Sequence, residues 1–302
     1  MIDIIGKKWW FLIFSAVIII PGLISLILWG IRPAIDFTGG TLLEFQFLNK
    51  ETKIENSDLR RELEKEELEI GSIQQSGENT FLVRLKSLEK DKSLKLFSGF
   101  SATYGEIKQI RSETVGPLIG QETAQNSLKA IVVASIAIII YVALAFRHIP
   151  KPYSSWRFGI CAVFALIHDI LVVVGIFSIL GHFYKVEIDS LFITALLTVM
   201  GFSVHDSIVV FDRIRENLIH LTGKEFSQIV NESIVQTLAR SLSTSMTVIL
   251  TLVALLLFGG ESTRWFIAAL LIGIISGTYS SIFNAAPLLV IWEERSRKKR
   301  KL

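Results

Sequence analysis

Six long apolar runs dominate this chain, at about residues 9–29, 127–146, 158–180, 188–211, 241–258 and 265–292. A hydrocarbon layer about 30 Å thick is crossed by roughly 17–25 helical residues, and a backbone in lipid must satisfy its own hydrogen bonds, so each run predicts a membrane-spanning helix. Composition agrees: 51% of the 302 residues are hydrophobic and mean hydropathy is +0.51, yet 20% are charged, which predicts a membrane protein with one water-exposed part. The first run follows Lys7 and Lys8 but is too long for a signal peptide and lacks a small-residue cleavage motif. It is expected to stay as an anchor helix, bent at Pro21-Gly22. Cys161 is the single cysteine, which excludes a disulfide framework or a cysteine zinc site within one chain.

Short loops on one side of such a six-span chain carry Arg147, Arg157, Arg213, Arg215, Lys224 and the basic tail RSRKKRKL, whereas those on the other side offer only Lys185 and Arg264. The charge bias therefore predicts both termini in the cytoplasm. The scheme is then residues 1–29 as N-terminus and first span, 30–126 as an extracytoplasmic domain, 127–292 as spans two to six, and 293–302 as a basic tail. Residues 212–240 are expected to lie along the cytoplasmic face as an amphipathic connector. The outer insert holds 13 Lys/Arg against 16 Asp/Glu, so it carries no basic face for nucleic acid. Topology and attraction to anionic lipid account for the tail.

Within the insert, TLLEFQF (41–47), the charged stretch 57–68, EIGSIQQ and TFLVRLK around the turn SGEN (76–79), a second helix near 91–103 and EIKQIRSETV (106–115) follow one another. Strand, helix, strand, strand, helix, strand is the ferredoxin-like α+β order. No nucleophile triad, metal motif or phosphate loop accompanies it, so binding or mechanical coupling is expected rather than catalysis. AIDFTGGT and SETVGPLIGQETAQNS flank the insert, and Asp36, Gly39, Gly40, Gly116, Pro117 and Gly120 are candidate hinge positions coupling it to the membrane helices.

His168 and Asp169 interrupt the third span, and His205 and Asp206 the fourth. A carboxylate at such depth costs on the order of 2.5–3.5 kcal/mol unless it is protonated or paired. Arg240, opening the fifth span, is the expected partner of Asp206, and a carboxylate beside an arginine in a site that wets and dries would bind and release a proton. Arg240 as an interfacial anchor and Asp206 as a structural helix-to-helix bond are the plainer alternatives. Asp169 reads equally as a second relay group or a packing residue. The two histidines read as cross-helix hydrogen bonders, and no metal site is expected. In the last span Gly273 and Gly277, with Ser276, Ser280, Ser281 and Asn284, predict close helix packing.

Taken together, IDFTGGT, VGPLIGQE, HDILVVVGIFSI, GFSVHDSIVVFDRIREN and ARSLSTS make the chain resemble, nearly end to end, the SecF branch of the SecD/SecF protein-export family. The resemblance implies a mainly α membrane protein whose six transmembrane helices form half of an RND-type permease, with SecD supplying the other half. It implies no enzymatic activity and no cofactor, with H⁺, or alternatively Na⁺, as the coupling ion. The implied partners are SecD, the SecYEG channel, YajC, unfolded preprotein and membrane lipid, at the bacterial cytoplasmic membrane. Proton-pathway roles carry over to Asp206, Arg240 and Asp169. The family motif usually has asparagine where this chain has His205, which makes His205 a candidate for tuning its neighbour's proton affinity. A passive scaffold for SecD, or half of a small-molecule RND exporter, is the alternative function.

Overall fold

The computed structural model describes residues 2–48, 54–66, 68–77, 79–86, 90–147, 149–150, 153–221, 223–260 and 263–301. Glu78 of the expected turn, Lys151 of a basic loop and Leu302 lie outside them. In chain order the elements are α1 (Lys8–Trp29), α2 (Ile35–Thr38), β1 (Gly40–Phe47), α3 (Asn56–Lys65), β2 (Ile70–Gly77), β3 (Thr80–Leu85), α4 (Lys90–Tyr104), β4 (Ile107–Val115), α5 (Pro117–Ala145), α6 (Ser155–Tyr184), α7 (Ser190–His220), α8 (Phe226–Phe258), α9 (Arg264–Ser280) and α10 (Ala286–Lys301). The chain divides into one unit of residues 33–128 and a second made of residues 1–32 and 129–302.

Six helical stretches are long and apolar enough to cross a membrane: Ile5–Trp29, Pro117–Ala145, Ser155–Tyr184, Ser190–His220, Phe226–Phe258 and Arg264–Arg297. Their order matches the six expected spans, but their ends do not. The second helix starts at Pro117 instead of 127, with proline at a first-turn position where its missing N–H costs nothing. The expected amphipathic connector 212–240 is not a separate surface helix. Instead α7 continues to His220 and α8 begins at Phe226, so the segment forms the two arms of a helical hairpin. Local pairs Arg213–Glu216 (2.6 Å) and Arg215–Asp212 (2.7 Å) support the α7 arm, while Ile214, Leu218, Phe226, Ile229, Val230 and Ile234 bury the inner faces of both.

In the membrane unit α6, α7 and α9 form the interior and α1, α5 and α8 lie around them; α5 adds little more than Val142 to the core. α1 runs on as helix through Pro21, and Gly22 has a packing role in place of the expected bend. A Cβ on Gly22 would stand 2.9 Å from the Gly175 Cα of α6, so the two helices cross backbone to backbone. The next turn adds a 2.8 Å hydrogen bond between the Ser25 and Ser178 hydroxyls. Helices α9 and α10 are joined by a π-helical turn, Ser281–Ala285. Lys8 pairs with Glu294 at 2.8 Å and Arg157 pairs with the buried Glu293, which ties both chain termini to one end of the bundle.

Residues 33–128 form a four-stranded antiparallel sheet of order β2-β3-β1-β4, the ferredoxin-like arrangement. Alternation along β1 and β3 sends Leu43, Phe45, Phe47, Phe81, Val83 and Leu85 to one face, where Leu59 and Leu63 of α3 and Leu96 and Phe100 of α4 cover them. The glycines expected as hinges are the tightest backbone contacts of this unit. Gly39 and Gly40 have φ of +73° and +127°. A Cβ on Gly39 would lie 2.8 Å from Pro117 Cα, one on Gly40 2.7 Å from the Leu85 carbonyl oxygen, and one on Gly120 2.7 Å from the Gly39 nitrogen. Asp36 lies in the single turn of α2. Gly116 alone among them faces open space.

Gly120→Val is therefore expected to destabilise this unit by about 1–3 kcal/mol through overpacking against backbone, whereas Gly116→Ala should be neutral. Protease resistance of residues 33–128 within the detergent-solubilised full chain compares the two.

Candidate functional site

Two carboxylates lie inside the helical bundle, and their surroundings differ. Asp169 on α6 is completely buried. Ser203 of α7 donates to its Oδ2, Ser280 of α9 donates to the same oxygen at 2.7 Å, and Ser276 of α9 donates to Oδ1 at 2.7 Å. His168 Nδ1 lies 3.0 Å from Oδ1. A carboxylate offers about four acceptor positions, so Asp169 is saturated by groups on three helices. Gly277 makes this closure possible, since a Cβ there would sit 3.1 Å from Ser203 Cβ and 3.5 Å from Asp169 Oδ2.

Asp206 on α7 is 2% exposed; Ser245 Oγ of α8 lies at a long 3.4 Å from it, and the Thr278 hydroxyl of α9 is its other hydrogen-bonding neighbour among the described residues. The Ser245 hydroxyl is also 2.9 Å from its own helix's Ser241 carbonyl, and Thr278 of α9 donates to it at 2.7 Å. Its single proton can serve only one acceptor at a time. Asp206 is thus buried with little to hold it ionised, which is the opposite of Asp169.

The structure does not bring Arg240 to Asp206. Among the described residues no ion pair joins them, and Arg240 lies on the exposed face of α8. Ser245 meets Asp206 of α7, Ser241 one turn earlier is also buried, and a helix turns about 100° per residue, so position 240 leaves that buried face. His205 is also exposed, about 100° around α7 from the buried Asp206. Sequence reading anticipated Ser276 and Ser280 as polar packing atoms but missed Ser203, Ser245 and Thr278 as partners of the two acids. The available signal was hydroxyls recurring four residues apart in apolar runs; which helix each one faces is a tertiary fact.

The family profile described as "Protein export membrane protein SecD/SecF, C-terminal" matches residues 96–295. The chain belongs to the SecD/SecF family. Among its relatives, the "Protein translocase subunit SecF" of Thermobaculum terrenum is 48% identical, over 98% of this chain and 95% of that one. The SecF of Anaerolinea thermophila is 43% identical over 97% and 94%. The crystal structure of SecDF, described as a translocon-associated membrane protein, from Thermus thermophilus superposes with a TM-score of 0.84 at 36% identity, covering 97% of this chain and 39% of that one. A "super-membrane-facing form" of SecDF gives 0.71 at 34% identity, over 99% and 40%. This SecD/SecF-family chain thus spans about two fifths of the solved SecDF chains. Family membership and the six apolar helices make it a multi-pass membrane protein with a role in protein translocation.

The contrast between the acids gives a stability test. Asp169→Ala strands the buried Ser203 and Ser276 hydroxyls, each costing about 1–3 kcal/mol, whereas the hydroxyls beside Asp206, Ser245 and Thr278, both keep a carbonyl acceptor on their own helix. Thermal unfolding of the detergent-solubilised chain should therefore show a much larger loss for Asp169→Ala.

Proposed function

We propose that the chain is the SecF half of a SecD–SecF pair in the bacterial cytoplasmic membrane, with both termini cytoplasmic, and that the pair uses the proton motive force to promote the late stage of preprotein export at the SecYEG channel. YajC is a further proposed partner. The observation that carries the coupling is the unequal treatment of the two acids: Asp206 is buried beside two hydroxyls, Ser245 at a long 3.4 Å and Thr278, that are both shared with other acceptors, while Asp169 takes three hydroxyls from α7 and α9. A carboxyl so weakly held can change protonation as its surroundings wet and dry, and its charged form needs a partner only in one conformation. Asp206 is accordingly the titrating group, and Asp169 holds α6, α7 and α9 around it. Arg240, on the same stretch of α8, stabilises the ionised carboxylate when α8 turns relative to α7, and His205 adjusts its proton affinity. Fusion of SecD and SecF into the single SecDF chains of Thermus thermophilus and Bacillus subtilis supports SecD as the partner of the exposed faces.

Magnitude fixes the kind of mechanism. One charge crossing the membrane releases about 2.3 kcal/mol per 100 mV, whereas unfolding a domain takes about 5–15 kcal/mol. A proton therefore cannot unfold cargo, but it can bias an already unfolded chain against sliding back.

Asp206→Asn keeps the shape and removes the ionisation. In vesicles holding the complete translocase, the gradient-dependent fraction of late export should fall to its level without a gradient while the complex remains assembled. Export at the wild-type level would leave a passive scaffold for SecD as the function. Replacing an imposed proton gradient with a sodium gradient in the same vesicles identifies the coupling ion.

A further inference from the structure

Between Asp206 and the end of the bundle that carries both termini, the inner face of α8 presents hydroxyls at every fourth position: Ser245, Ser241, Thr237 and Ser233, none more than 7% exposed. Both ends of this line are pinned to α7. Ser245 meets Asp206 at 3.4 Å, and Asn217 donates to Ser233 at 2.8 Å. Twelve residues of helix carry it about 18 Å. At its outer end Asn217 and Arg213 both donate to Gln236 Oε1, at 2.9 and 2.6 Å, in a polar cluster next to water. The antiparallel register of the two pinned ends sets Val210 level with Ser241 and Ile214 level with Thr237, both fully buried.

Most of these hydroxyls are satisfied within their own helix: Ser233 donates to the Ile229 carbonyl at 2.7 Å and Thr237 to that of Ser233 at 3.0 Å. Ser241 is different. It is 2% exposed, sits midway along the line, and its hydroxyl has no hydrogen-bond partner. A buried polar atom without a partner is uncommon and costly, and here it lies on the stripe that leads to the acid. Apart from Asp206, none of the titratable side chains in this part of the α7–α8 hairpin, His205, Asp212, Arg213, Arg215, Glu216, Glu232 and Arg240, is buried.

We propose that Ser233, Thr237, Ser241 and Ser245 form the route by which a proton passes between Asp206 and the face carrying the termini, and that Val210 and Ile214 close it in the conformation seen here. The inference rests on Asp206 being the titrating group. When α7 and α8 part enough to admit water, each water or hydroxyl oxygen accepts one proton and passes on another. The carboxyl loses its proton, one hydronium emerges at the outer end, and no hydroxyl is changed. Ser241 is then a positioning residue that offers the first water a partner one turn from the acid.

The test uses the chain reconstituted with its SecD partner in vesicles containing a pH-sensitive dye, with proton flux driven by an imposed gradient. Ser241→Val should lower flux roughly tenfold, the scale of losing one polar contact along the path, and Ser241→Thr should restore it. Thr244→Val, on the exposed face of the same helix, should leave it unchanged. Val210→Thr, nearly equal in volume, should raise flux, a gain that misfolding cannot mimic, and adding Asp206→Asn should abolish that gain. Wild-type flux in both Ser241→Val and Val210→Thr, with flux lost in Asp206→Asn, overturns the hydroxyl route and leaves the Asp206 reading standing. Wild-type flux in Asp206→Asn overturns that reading, and the route with it.

Discussion

The carboxylate of Asp169 is the fixed point of the membrane unit. In an apolar bundle, van der Waals packing alone leaves helices free to slide, because lipid and leucine offer similar contacts. A buried carboxyl that takes three hydroxyls from α7 and α9 removes that freedom, since any slide would strand both the acid and its donors. Around it the close approaches become possible. Gly277 lies over the carboxylate, Gly273 packs against Val199, and Ser281 reaches the Ser207 hydroxyl at 3.1 Å across the same α7–α9 contact.

The α7–α8 seam is built differently. Its middle consists of hydroxyls bonded to their own helix, one hydroxyl without a partner among the described residues, and two aliphatic side chains, so its cross-helix hydrogen bonds lie at the two ends, at Ser245–Asp206 and around Asn217 and Arg213. The same bundle thus places one acid among three hydroxyl donors from two other helices and the other beside a seam with an apolar middle.

Much of this architecture is legible from residue pattern. The apolar runs give six helices because length and hydropathy suffice in lipid, and the period-two alternation of TLLEFQF and TFLVRL gives the buried sheet face. Asp206 and Asp169 are visible as costly exceptions in their runs. The helix ends differ from the span ends because α5, α7 and α8 continue past their apolar windows, α7 and α8 carried by local ion pairs and by burial that hydropathy does not register. Gly39 and Gly120 look the same in sequence whether they bend or merely let two backbones touch. Arg240 failed as a partner for Asp206 in this conformation because a one-residue offset rotates a side chain out of a helix seam, a detail below the resolution of spacing arguments.

The donors that satisfy Asp169 arrive late. Ser203 follows it by 34 residues, but Ser276 and Ser280 follow by 107 and 111. During synthesis the third span therefore lacks two of the three hydroxyl donors of its acid until the sixth span has emerged. Closure of the α6–α7–α9 contact thus waits on residues made about a third of the chain later, and a chain ending before Ser276 would leave Asp169 without its α9 donors.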